Sequence, residues 1–171
     1  MPALAIADTA NLFGALEFSE KAAGKGLQPI VGCTFEVSLG TSGAETLERA
    51  RTGKQGLKAK PSLALLCADE HGYRNLLWLV SNAYKRTADG EFLEIRQSDL
   101  VGRTEGLICL TGGPCGPLDQ LIADDHVVEA QHVLASLQGL FGDRLYIEIQ
   151  RTRRSDRNVE DQLLQFTYAN S

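Results

Sequence analysis

Short apolar runs alternate with longer amphipathic stretches along this chain, which predicts strands interleaved with helices. Residues 4–7 read as a compact buried strand. Asn11 is placed to cap the helix that follows, with apolar positions Phe13, Leu16, Phe18 and Ala22 and an end at Gly24 and Gly26. Residues 29–37 are rich in β-formers and begin at a proline, so they read as a second strand. The segment 38–60 is polar and reads as a long loop excursion, a place where variable or functional segments sit. Residues 63–67 form another buried strand. Asp69 then caps a strong helix carrying Tyr73, Leu76, Leu77, Val80 and Tyr84. Ser98 begins a short helical turn. Leu107–Leu110 is a strand stopped by Gly112-Gly113-Pro114. Residues 118–122 read as a short helix. A longer one runs from about 126 to 140, with Val127, Ala130, Val133, Leu134 and Leu137 on one side and Gly142 at its end. Residues 145–149 are the last strand. Asp156 or Asn158 caps a final helix with Val159, Leu163, Leu164 and Phe166. Strands alternating with helices predict an α/β fold with a largely parallel sheet.

Composition bounds this picture without specifying a chemistry. The 171 residues suit one domain with a real core, and 43% apolar with 23% charged residues is ordinary for a soluble globular protein. A formal net charge of −5 argues against a surface built to neutralise phosphates. The one dense basic run, Arg151, Arg153, Arg154 and Arg157, reads as a solvated loop and helix start. No two of Cys33, Cys67, Cys109 and Cys115 have C-x-x-C spacing, and Cys67 and Cys109 read as small buried hydrophobes. The start of the chain lacks a basic n-region and no apolar run approaches a membrane span, so the expected compartment is a reducing cytoplasm. A strand at the first residues and a last helix with no strand after it lead to the expectation that the chain is cut at both ends.

Single residues carry little chemistry. No dinucleotide or P-loop fingerprint is present, and the Gly-rich turn 112–117 contains two prolines that remove the amides a phosphate cradle needs. His71, His126 and His132 do not directly follow a strand, where a barrel enzyme places ligands, and read as surface or capping residues. Asp8 follows the first strand, a catalytic-looking place that a turn or cap residue explains as simply. Glu36 and Glu148 lie on strands; Glu148 suits a barrel mouth or the polar face of an edge strand equally. Cys115 has no adjacent His to activate it.

Five strings in order over nearly the whole chain alter this reading. They are MPALAIADTANLFGALEF, QPIVGCTFEV, LALLCADEHGYRNLLWLVSNAY, EGLICLTGGPCGPL and FGDRLYIEIQR, of which Gly72-Tyr73-Arg74-Asn75-Leu76 and Phe141-Gly142-Asp143-Arg144 are the most specific. Together they resemble the PHP domain of bacterial DNA polymerase III alpha subunits. The resemblance implies a partial, distorted β/α barrel of TIM-like form over residues 1–171, with the first and last barrel strands outside this chain. It also implies that the family's polymerase palm, with its magnesium-binding aspartates, is absent from these residues.

The resemblance further implies a degenerate metal site of proteobacterial type. Thr9 stands where active members have a His after the Asp at position 8, Thr34 where they have Glu, Ser62 where they have His, Gly113 where many have Cys, and Thr152 where a His follows. Only Asp8 keeps an ionisable ligand type, and Glu36, on the strand face of Thr34, is a lone substitute carboxylate. These are vestigial ligand positions, with no catalytic, cofactor or metal residue expected. The implied role is a catalytically silent scaffold within a DNA-directed DNA polymerase, a nucleotidyltransferase. Its implied partners are the rest of the alpha subunit and a proofreading exonuclease that docks on this domain, with DNA reached through the parent polymerase and no membrane. The alternatives are a metal-dependent PHP phosphoesterase and an intrinsic 3′–5′ exonuclease. Exposed sheet edges predict that the isolated chain aggregates, oligomerises or is marginally folded.

Overall fold

The computed structural model describes residues 1–39, 60–86, 93–151 and 157–169. Most of the 38–60 excursion, and Thr152 with Arg153 and Arg154, lie outside the described residues. Strand β1 (Ala3–Thr9) leads into α1 (Ala15–Ala23), then β2 (Gln28–Ser38) and β3 (Ser62–Cys67). Helix α2 (Glu70–Arg86), the short β4 (Glu94–Arg96), a one-turn α3 (Gln97–Leu100) and β5 (Leu107–Leu110) follow. After α4 (Pro117–Ala123), α5 (Val127–Phe141), β6 (Leu145–Tyr146) and α6 (Arg157–Ala169) complete the order.

The six strands make one open sheet in the order β1-β2-β3-β5-β6, with β4 pairing the far end of β2. β1 and β4 run parallel to β2, and β6 parallel to β5. β3 is antiparallel to both neighbours, so its first residue lies at the sheet edge where the parallel strands end. The mostly parallel α/β reading therefore holds, with one reversed strand in the middle.

Helix starts follow local chemistry. Asp69 Oδ1 accepts the Gly72 backbone N–H at 2.8 Å, satisfying one of the free amides of the first turn of α2. That turn lies against the 104–106 loop, where Asn75 Nδ2 donates to the Glu105 carbonyl at 2.9 Å. Asn11 behaves otherwise than predicted. Its Oδ1 accepts from Phe13 N at 3.0 Å and its Nδ2 donates to the Thr9 carbonyl, which makes a side-chain turn, and the helix starts only after Gly14. Phe13 precedes α1 and is 84% exposed, while Leu16 is 73% exposed; the face α1 buries carries Ala15 and Ala22.

The core lies on one side of the sheet. Cys33, Phe35 and Val37 of β2, Leu63 and Leu65 of β3, and Leu107 and Cys109 of β5 meet Leu76, Leu79, Leu134, Leu137 and Phe141 from α2 and α5. Burial of these side chains is the main stabilising term. It also pushes up the thiols of Cys33 and Cys109, each to about 12, and that of Cys67 to about 11. Residues 4–7 are not the buried run the pattern suggested. β1 is the edge strand, with one side unpaired among the described residues, and Leu4 is 40% exposed. The predicted strand 145–149 keeps ladder pairing only at Leu145 and Tyr146.

Candidate functional site

Strand register assigns each candidate residue to a face of the sheet. One row across it is Asp8, Cys33, Leu65, Cys109 and Leu145, on the side where the helices pack. The next row is Thr9, Thr34, Ala64, Leu110 and Tyr146, on the opposite side. Glu36 pairs with Ser62 and belongs to this second side, because side chains alternate along a strand. Thr9, Thr34, Glu36 and Ser62 thus share the uncovered face at the end of the sheet where the parallel strands finish, the place where α/β folds build sites.

The turn after β5 arrives at the same edge. Ser62 Oγ donates to the Cys115 carbonyl at 3.4 Å, and a Cβ on Gly112 would lie 2.2 Å from the Ser62 carbonyl oxygen. Gly112 and Gly113 both have positive φ, 82° and 50°, so the turn relies on residues without a side chain. Gly113 lies against the Gln150 side chain, and a Cβ there would be 3.1 Å from the Gln150 Nε2. The segment after β6 is fixed by the Glu148 N–H donating to Thr111 Oγ1 at 2.9 Å, and the Gln150 amide donates to the Glu148 carboxylate. Thr34 Oγ1 donates to the Ala7 carbonyl at 3.5 Å, and the Ala10 N–H to the Thr34 carbonyl at 2.8 Å. Sequence reasoning missed Thr111; its place directly after a strand was the available signal.

Asp8 stands apart from this group. Its carboxylate points to the helix side, where Oδ2 accepts the Gly14 N–H at 3.3 Å at the entry to α1. It also lies close enough to Cys33 for its negative charge to raise that thiol further, after burial. Asp8 therefore orients the β1–α1 connection. Glu36 Oε2 is buried with no hydrogen-bond partner, and a lone carboxylate oxygen does not make a metal site.

The residues present do not fit a resident catalytic metal. Thr9, Thr34 and Ser62 supply neutral hydroxyls and Gly113 supplies nothing, whereas zinc and manganese sites use imidazole, thiolate and carboxylate. Among the described residues no three His, Cys, Asp or Glu side chains converge to hold a metal ion. The histidines lie elsewhere. His71 Nε2 is 3.6 Å from Glu105, His126 Nδ1 is 3.9 Å from Glu129, and His132 is exposed on α5. Cys115 is exposed at the mouth of a cavity of about 350 Å³ that Asp119, Gln120, Gln150 and Leu163 also line. Arg151, from the basic run, makes a two-pronged ion pair with Glu160, which raises its pKa further. No described helix is long and apolar enough to cross a membrane.

An open β/α sheet whose strand ends carry this ring of positions is a PHP-type arrangement. The chain belongs to the PHP domain family, which it matches over residues 1–152. It is similar to the DNA polymerase III subunit alpha of Caulobacter vibrioides, 43% identical over 151 residues, which are 88% of this chain and 12% of that protein. The DNA polymerase III subunit alpha of Chlamydia pneumoniae is 34% identical over 163 residues, 93% of this chain and 12% of the relative. That of Thermus aquaticus is 36% identical over 165 residues, 95% and 13% respectively. The chain thus spans about an eighth of the length of these curated relatives.

Proposed function

We propose that this chain is the PHP-domain portion of a replicative DNA polymerase alpha subunit, and that it serves there as a catalytically silent scaffold and docking platform for the proofreading exonuclease. The whole polymerase carries out DNA-templated DNA synthesis in the cytoplasm, with magnesium held in its palm. The observation that carries the silent reading is the chemistry of the strand-end positions. Thr9, Thr34 and Ser62 bring neutral hydroxyls to the uncovered face, Glu36 is the lone carboxylate beside them, and Asp8 is engaged at the entry to α1. Docking is supported by the similarity to subunits of a multi-subunit polymerase, together with exposed apolar side chains such as Phe13, Leu16 and Val101 away from the strand-end positions.

The test is metal content by mass spectrometry on the natural full-length protein, purified without chelator, beside calorimetric titration with the purified proofreading exonuclease. Absence of stoichiometric zinc, manganese or iron together with a saturable complex is the expected result. Near-stoichiometric metal with hydrolysis of a phosphoester or a DNA 3′ end would refute silence. Failure to form the complex would refute docking.

A further inference from the structure

One strand farther out than the hydroxyl positions, the uncovered face gains a second acid. Glu94 of β4 stands in register with Glu36 of β2. Both lie on the uncovered side, because the next pair along, Val37 and Ile95, is buried in the core. Neighbouring strands run about 5 Å apart, so the two carboxylates are cross-strand neighbours, and like charges so placed destabilise a sheet. Glu36 Oε2 is also buried, with no hydrogen-bond partner among the described residues. A carboxylate in that position needs a nearby positive charge.

Lys60, just before β3, is placed to supply it. Its Nζ lies 2.5 Å from Glu94 Oε2, and the two side chains are only 26% and 25% exposed, so water screens the pair less than at an open surface. The path of this ion pair is set by the sheet. On one side of β2 the Val37 N–H donates to the Pro61 carbonyl at 2.8 Å, and on the other side β4 pairs with residues 36–38. A contact that starts at Lys60 and ends on Glu94 therefore passes over β2 at the level of Glu36 and Ser38. The neighbouring cations serve elsewhere. Arg86 is committed to Asp99 at 2.7 Å and reaches only the backbone carbonyl of Glu94. Arg96 is exposed one row farther on and forms no ion pair with either carboxylate among the described residues.

We infer that Lys60 is the resident cation of this edge of the sheet: its ammonium straps β3 to β4 across β2 and neutralises Glu36 together with Glu94. The face thus holds two neighbouring carboxylates with a charge of its own rather than with a metal ion. The inference rests on the metal-free reading above and goes beyond it by naming the residue that balances the acids.

The experiment is hydrogen–deuterium exchange read by mass spectrometry on the natural full-length protein, in peptides covering 94–96, with peptides of α2 as the check that each variant is folded. Wild type is compared with Lys60→Met, Glu36→Gln and the double variant, and wild type is measured again with added manganese. Lys60→Met is expected to speed exchange at 94–96 by roughly fivefold or more. Adding Glu36→Gln to it is expected to bring the rate back to within about threefold of wild type, because the repulsion is then removed as well. Manganese is expected to leave wild-type exchange unchanged. Exchange that Lys60→Met does not alter would overturn the strap and leave the metal-free reading standing. A rise that Glu36→Gln does not reduce would make Lys60 a partner of Glu94 alone and overturn the inference. Slower wild-type exchange with manganese would show a metal taken up at this edge and overturn both readings.

Discussion

The same substitution, glycine to alanine, is expected to have opposite signs in the two long helices. Gly72 sits in the first turn of α2, and a Cβ there would lie 1.8 Å from the Gly106 carbonyl oxygen and 2.4 Å from its carbon. Ordinary contact begins near 3.4 Å, so the 104–106 loop must retreat by about 1.6 Å. That loop is pinned by the Ala68 N–H donating to Gly106 O at 2.8 Å and by Asn75 on Glu105, and the Gly72 N–H is itself held by Asp69. Overpacking of this kind costs about 1–3 kcal/mol, and each hydrogen bond stretched out of range costs about 1 kcal/mol. Better helix propensity returns at most about 1 kcal/mol. Gly72→Ala is therefore expected to destabilise by about 2–4 kcal/mol.

Gly139 lies on α5 with nothing within 4 Å of its Cβ position. Only the propensity term acts there, so Gly139→Ala is expected to stabilise by up to about 1 kcal/mol. Urea unfolding followed by circular dichroism, run on both variants and wild type, gives both signs. A Gly72→Ala midpoint at or above wild type would refute the close packing of α2 on the 104–106 loop. A loss of stability at Gly139 would refute the propensity argument.

Alkaline pH should weaken the fold through its buried thiols. Below the ordinary thiol value of 9.0 all of them are protonated in both states and the contribution is intact; between there and about 12 the unfolded chain loses protons that folded Cys33 and Cys109 retain. Stability then falls as pH rises, by up to about 1.4 kcal/mol per pH unit per thiol, and Cys109→Ala should flatten the fall in melting temperature between about pH 9 and 11. Asp8→Ala should cost about 1–2 kcal/mol in urea through the lost Gly14 contact and leave the metal content of the purified protein unchanged, where a drop in bound metal would contradict the reading of Asp8 as a turn-holding residue. Leu4→Lys, on the open edge of β1, should shift the 171-residue chain toward monomer in sedimentation velocity, and unchanged association would mean that this edge does not drive it.

Local signals in the sequence were legible where one residue decides the structure. The Asp69 cap, the Gly142 stop with φ of 58° and the apolar stripe of α5 all follow from nearest-neighbour chemistry. Errors came where tertiary position decides. An apolar run such as 4–7 has the same composition whether it lies in the middle of a sheet or on its edge, and only the pairing of β1 on one side reveals the edge. Phe13 and Leu16 fit a helical period, yet the helix begins at Ala15 and turns its alanines inward. β4 is too short for a periodic signal, with only Leu93 and Ile95 to mark it. The reversal of β3 is invisible to hydrophobicity, because a strand buried on one side reads alike in both directions.

The candidate site was legible only through resemblance, and the fold then adds a distinction that the resemblance lacked. Alternation along a strand has a period of two, so Asp8 and Thr9, adjacent in sequence, belong to opposite sides of the sheet. The ionisable member of the eroded set lies with the core and the α1 entry, while the hydroxyl members lie on the uncovered face with Glu36. Recruiting Asp8 to a site among Thr9, Thr34 and Ser62 would require its carboxylate to cross the sheet. A one-residue slip of β1 would accomplish that only by turning Thr9 away and exposing the row that now packs beside Cys33. Register therefore separates two roles that sequence adjacency had merged: Asp8 holds the connection into α1, and Glu36 is the carboxylate that pairing places on the uncovered face, beside the hydroxyls of Thr9, Thr34 and Ser62.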